Sequence, residues 1–146
     1  SHASVMHLLA KAGLPIVSLG VRALSKEEEL ARTKHGVITH DGPMLVRNNI
    51  SQIEVPDDFP ENIYITFDVD GLDPSVIAAT GTPVPGGLGF YQSLDLVEST
   101  LRGRRCVGID ITELAPVEGQ TSNNFTAALI CYTIMAMAAK TTLKFT

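Results

Sequence analysis

The chain has only two cysteines, Cys106 and Cys131, in 146 residues. So sparse a set builds no disulfide scaffold. Both lie in apolar runs and read as small buried hydrophobes of a reducing compartment, with a disulfide between them as the alternative. Base is not in excess either: 11 Lys and Arg face 16 Asp and Glu, for a net charge of −5. Without a basic stripe to neutralise phosphates, nucleic acid is excluded as a partner. No uninterrupted apolar run is long enough to span a bilayer, and no secretory leader opens the sequence. No membrane partner is expected, and a cytoplasmic location follows by default. Internal repeats and low-complexity segments are missing as well. What remains is a hydrophobic content of 45%, enough to fill the core of one domain.

The pattern along the chain alternates strands with helices. Val5, Leu8, Leu9 and Ala12 have helical spacing, and Gly13 is placed to stop that helix. Residues 15–20 read as a short buried strand. Ser25 followed by Glu27, Glu28 and Glu29 is a helix start, a capping residue with acids in the first turn. Residues 36–39 suit another short strand, and residues 43–53 fit neither period. Leu94, Val97 and Leu101 mark a helix over 90–101, with Gly103 as its stop. Residues 105–109 form a strand that Asp110 ends. Ser122, Asn123 and Asn124 offer caps for a last helix over 125–139, apolar on most sides and therefore core or interface. Strands separated by helices imply parallel pairing through right-handed crossovers, hence an α/β domain with helices covering a parallel sheet.

Its centre is the stretch from Ile63 to Pro74. Apolar and β-branched residues run to Phe67, and then Asp68, Asp70 and Asp73 follow before Gly71 and Pro74 break the pattern. That is a buried strand opening into a loop at its C-terminal end, where open α/β sheets bind ligands. On an extended backbone Asp68 and Asp70 point to the same side. Their repulsion is relieved by a hard divalent cation. A helix N-cap or an Asx turn is the plainer reading of the same pair. The run from Ala79 to Leu88 holds two prolines and three glycines and makes a rigid, closely approached loop.

Phe67-Asp-Val-Asp-Gly-Leu-Asp-Pro74, with Thr80-Gly-Thr-Pro83 and Gly86-Gly87, resembles the signature of the ureohydrolases, the arginase and agmatinase enzymes and their relatives. Asp110-Ile-Thr-Glu-Leu-Ala-Pro116 resembles that family's later Asp-x-x-Glu-x-x-Pro segment. The resemblance covers nearly the whole chain. It implies a three-layer α/β/α sandwich with a mainly parallel sheet. The family's two earlier metal motifs, Gly-Gly-Asp-His and Asp-Ala-His-x-Asp, are absent. Residues 1–146 are therefore expected to be the C-terminal part of a single ureohydrolase domain, lacking its N-terminal half. Such a half-sheet would leave an edge and apolar faces uncovered, so the chain is expected to be unstable alone or a homo-oligomer.

Hydrolysis of a guanidinium needs an activated nucleophile, an anion to orient the cation and a proton for the leaving amine. Paired divalent ions can supply hydroxide at neutral pH by lowering the pKa of water. By the resemblance, Asp68 and Asp70 are metal ligands for Mn²⁺, and their hard oxygens suit that ion. Glu113 pairs with the substrate guanidinium, whose planar fork a carboxylate accepts in two parallel bonds. Thr82 lines the site and hydrogen-bonds near the guanidinium or its glutamate. His2 matches the histidine that passes a proton to the leaving amine, although Ala3 replaces the usual glycine and a Ser-His pair can also be left from an expression tag. Asp73 shapes the turn, and Asp110 supports the site from the strand end. His7, His35 and His40 match no family position and read as surface or helix-face residues.

The expected substrate is a small guanidino compound. The arginine-cleaving branch carries acidic residues after a Gly-Leu-Arg loop; here residues 20–25 contain none. That leans toward agmatine, converted to putrescine and urea in polyamine formation, with arginase or guanidinobutyrase activity as the alternative. Two readings compete. An Asp-x-Asp-Gly run after a strand also opens haloacid-dehalogenase-type phosphatases, with Mg²⁺ beside a nucleophilic aspartate. That motif, however, is not followed by Leu-Asp-Pro or by a Thr-Gly-Thr-Pro loop. The other reading is a catalytically inactive truncated subunit, since two aspartates alone hold an ion poorly.

Overall fold

The computed structural model describes residues 4–143. Its elements in order are α1 (Val5–Lys11), β1 (Val17–Leu19), α2 (Lys26–Lys34), β2 (Ile38–His40), α3 (Gly42–Arg47), β3 (Asn62–Asp68), a 3₁₀ turn (Val69–Gly71), α4 (Phe90–Thr100), β4 (Arg105–Thr112) and α5 (Thr121–Leu143). Local chemistry accounts for many of these bounds. Glu28 N–H donates to Ser25 Oγ at 3.2 Å while Ser25 N–H donates to the Glu28 carboxylate at 2.6 Å, a complete capping box for α2. Glycines in the left-handed region follow α1 and α4, Gly13 at φ +83° and Gly103 at φ +68°. The stretch of undecided period begins as α3, with Pro43 in its first turn. Asp41 before it makes a two-pronged pair with Arg32 of α2, at 2.8 and 3.1 Å.

The strands are all parallel. They form two separate pairs, β1 with β2 and β3 with β4, among the described residues. In β3 the side chains alternate: Ile63, Ile65 and Phe67 turn inward, while Asn62, Tyr64, Thr66 and Asp68 lie on the open face. The inward set meets α4 and α5 in a core centred on Leu72, Ile77, Leu96, Ile130 and Ile134, each no more than 1% exposed. The 3₁₀ turn drives Val69 into the same core, which fixes where the acidic loop leaves the strand.

Two boundaries differ from the sequence expectation. Strand β4 runs through Asp110 to Thr112, because Asp110 stays in register opposite Thr66 and has partners on the neighbouring strand. Helix α5 starts at Thr121, so Ser122, Asn123 and Asn124 lie inside it. Asn123 is buried there, and its Oδ1 accepts the Ala78 N–H at 3.0 Å. On the outer side of α5, Phe125 and Tyr132 are each 72% exposed. No helix among the described residues is long and apolar enough to cross a membrane.

Candidate functional site

The site forms where β3 ends. Asp68 closes the strand, and its Oδ1 accepts the Asp70 N–H at 3.0 Å, so it caps the 3₁₀ turn. The plain capping role is thus real. It engages one oxygen and leaves the second for a ligand. Asp70 follows on the turn, and its Oδ2 accepts the Thr82 hydroxyl at 2.6 Å. Thr82 therefore bonds to Asp70 and not to Glu113, the glutamate the sequence reading offered as one of its partners.

The two carboxyls converge. Asp68 keeps a solvent-exposed side, yet its carboxyl is pushed up to about 6. Partial burial is the main cause. The Asp70 N–H opposes it, while the Asp70 carboxyl, near enough to share a proton, and the Glu113 carboxylate raise it further. A carboxyl raised by burial and by neighbouring carboxylates marks a candidate functional site.

Glu113 comes from the other strand. It sits one residue beyond β4, paired to β3 with Asp68 opposite Thr112. Its φ of +62° places a glutamate in the left-handed region, where β-carbon crowding costs roughly 1–2 kcal/mol. Strain of this kind persists only where the surroundings impose it. Ala115 N–H donates to Ala79 O at 2.9 Å, tying the segment after Glu113 to the loop that carries Thr82.

The loop pair itself is closely knit. Leu72 bridges Leu88, with Leu88 N–H on Gly71 O at 3.0 Å and Asp73 N–H on Leu88 O at 2.9 Å. Asp73 shapes the turn, as expected. Its Oδ1 accepts the Ser75 N–H and hydroxyl at 3.0 and 2.6 Å, and its Oδ2 accepts the Gly86 N–H at 2.9 Å. These donors hold its carboxyl down at about 2, the Ser75 hydroxyl contributing most.

The structure thus gathers Asp68, Asp70, Thr82 and Glu113. His2 lies outside the described residues. Asp110 takes a different place from the one expected. It stands inside β4 and accepts the Tyr64 and Thr66 hydroxyls at 2.9 and 2.6 Å, so it braces the strand pair and not the strand end. His40 is the last residue of β2, half-buried with its Nε2 enclosed, and is not a surface residue. Arg22 was missed as a site residue. Nothing in its neighbourhood of sequence shows that its side chain reaches the Asp70 loop.

The donor set fits a hard divalent ion in kind, since it is two converging carboxylates with one oxygen each to offer. It does not fit in number. Among the described residues no group of three or more His, Cys, Asp or Glu could hold a metal ion.

The family model named Arginase family matches residues 1–139. An N(1)-aminopropylagmatine ureohydrolase of Thermus thermophilus is 36% identical over 132 residues, covering 90% of this chain and 45% of that protein. The agmatinase of Pyrococcus horikoshii is 28% identical over 141 residues, covering 96% of this chain and 49% of its own length. Among solved structures, the arginase from Medicago truncatula superposes with a TM-score of 0.74 at 25% identity, over 94% of this chain and 45% of that one. The chain spans about half the length of the relatives it matches. With the three-layer fold shared and the acidic loop, the Thr-Gly-Thr-Pro loop and Glu113 in one place, the chain belongs to the arginase family.

Proposed function

We propose that the protein is a metal-dependent hydrolase that cleaves a C–N bond of a linear guanidino compound to release urea, and that it acts on agmatine. The observation carrying this is the convergence of Asp68, Asp70 and Thr82 beside the strained Glu113. In this reading Asp68 and Asp70 are part of the ligand set for Mn²⁺. Bound there, divalent ions would supply a nucleophile at neutral pH. Glu113 accepts two N–H groups of the planar guanidinium and sets its carbon toward the aspartates. Thr82 holds the Asp70 carboxylate in one rotamer through its hydroxyl. His2 carries the proton to the leaving amine.

The substrate rests on residues 20–25. With no carboxylate there, nothing is offered to an α-amino group. Relatives named agmatinase and N(1)-aminopropylagmatine ureohydrolase support the same direction. The half-length coverage and the bare apolar side of α5 support this chain as the C-terminal part of a ureohydrolase domain in a homo-oligomer. The test is urea release by the protein at its full natural length with Mn²⁺, offered agmatine, 4-guanidinobutyrate and arginine in parallel. Agmatine should be cleaved fastest. Faster cleavage of arginine overturns the substrate, and no urea from any of the three overturns the activity.

A further inference from the structure

We infer that Arg22 is a positioning residue: its guanidinium clamps the turn bearing Asp70 to the loop bearing Thr82 and so fixes the geometry of the carboxylate pair. The inference rests on reading Asp68 and Asp70 as metal ligands.

Arg22 stands three residues beyond the end of β1, on a backbone that is itself held. Gly20 turns the chain at φ +81° and donates its N–H to His40 O at 2.9 Å. Gly42 N–H donates to Val21 O at 2.8 Å. A β-carbon on Gly42 would fall 2.8 Å from Gly20 O and 3.4 Å from the Arg22 β-carbon, so α3 can begin against this bend only with glycine there. The side chain therefore starts from a fixed base.

From that base the guanidinium reaches backbone oxygens 48–62 positions away. Its Nη2 donates to Asp70 O at 2.8 Å and to Leu72 O at 3.2 Å. Nη1 faces Gly71 O at 3.4 Å. Nε donates to Val84 O at 3.0 Å, and Nη2 also contacts that oxygen. Three successive carbonyls of the acidic turn thus converge on one cation, together with a fourth from the opposite loop.

The turn needs such a partner. The turn closes with Leu72 N–H on Val69 O at 3.2 Å, and short 3₁₀ turns have poor hydrogen-bond geometry. Asp68 Oδ1 secures the front of the turn through the Asp70 N–H, and Arg22 secures the back through the Asp70 carbonyl. Asp70 is gripped on both sides of its α-carbon. The bond to Val84 O sets the distance across which the Thr82 hydroxyl reaches Asp70 Oδ2. Lysine cannot replace the arginine. A compact ammonium with three donors does not span four carbonyls presented around a planar fork.

The test uses the protein at its full natural length, as wild type, Arg22→Lys and Arg22→Gln. Mn²⁺ is titrated calorimetrically into the metal-free forms, and hydrogen exchange is followed at the amides of Leu72, Asp73 and Leu88. Arg22→Lys keeps the charge and guards against a glutamine variant that fails to fold. Partners that orient ligands govern metal affinity about 10- to 100-fold, so Mn²⁺ affinity should fall at least about tenfold in Arg22→Lys, with faster exchange at those three amides and unchanged exchange in α4. An affinity within about twofold of wild type overturns the inference, because loss of general stability alone would lower the melting temperature without that fall. If the wild type itself takes up no Mn²⁺, the metal reading fails by itself. Exchange then decides the clamp: faster exchange at the three amides supports it, and unchanged exchange refutes it.

Discussion

Replacing Gly87 by alanine should open the acidic loop, and the structure sets the size of the effect. A β-carbon built on Gly87 lies 2.4 Å from the Leu72 carbonyl carbon and 2.5 Å from both Asp73 N and Leu72 O. These are backbone atoms and cannot swing aside. Ordinary contact begins near 3.4 Å, so the two loops must separate by about 1 Å. That separation breaks the Leu88 to Gly71 and Asp73 to Leu88 hydrogen bonds, each contributing about 1 kcal/mol. It also disturbs Leu72 and Leu88, which are 1% and 6% exposed. With overpacking costs of about 1–3 kcal/mol, the total expected loss is about 3–5 kcal/mol. Gly81→Ala is the control. It lies earlier in the same Ala79–Leu88 loop, and its added β-carbon meets nothing within 4 Å, with φ outside the left-handed region. The assay is denaturant unfolding of both variants, read at the midpoint with the slope compared. A Gly87→Ala loss of less than about 1 kcal/mol, or one equal to that of Gly81→Ala, would refute the claim that close backbone approach holds this loop pair.

Two further outcomes bear on the same region. Asp73 has a folded value of about 2, below the ordinary value near 4, so its stabilisation is present above about pH 4 and is lost as pH falls toward 2. Wild type should therefore lose more stability than Asp73→Asn between pH 4 and 2 in acid-unfolding curves, and parallel curves would contradict this; the group is exposed, so solvent screening keeps the difference small. Glu113→Gly should relieve the left-handed strain and raise stability by roughly 1 kcal/mol while abolishing urea release, whereas retained turnover would remove Glu113 from the substrate site.

The sequence alone determined whatever depends on neighbouring residues. The capping box of Ser25 and Glu28 spans three positions, and the chain reads it locally. The alternation through β3 and the break at Gly71 and Pro74 are likewise properties of a single short segment. Asp70 lies on the 3₁₀ turn and not on the extended strand, so the turn, and not strand alternation, brings it to Asp68. The motif residues supplied the family resemblance, and the α/β class came from strands alternating with helices along the chain. Tertiary structure alone decided which distant groups meet. Asp110 looked like the end of β4 because a carboxylate has no place in an isolated apolar strand; Tyr64 and Thr66 on the parallel neighbour supply its hydrogen bonds and let the strand continue. Asn123 looked like a cap, and is instead a buried partner for Ala78. Gly81 and Gly87 are indistinguishable as letters, but only one faces another backbone. Arg22 meets Asp70 across 48 positions. Helix and strand signals repeat within a few residues, so a short window holds them. A hydrogen bond between loops depends on how whole elements pack, and that is fixed only when the core closes.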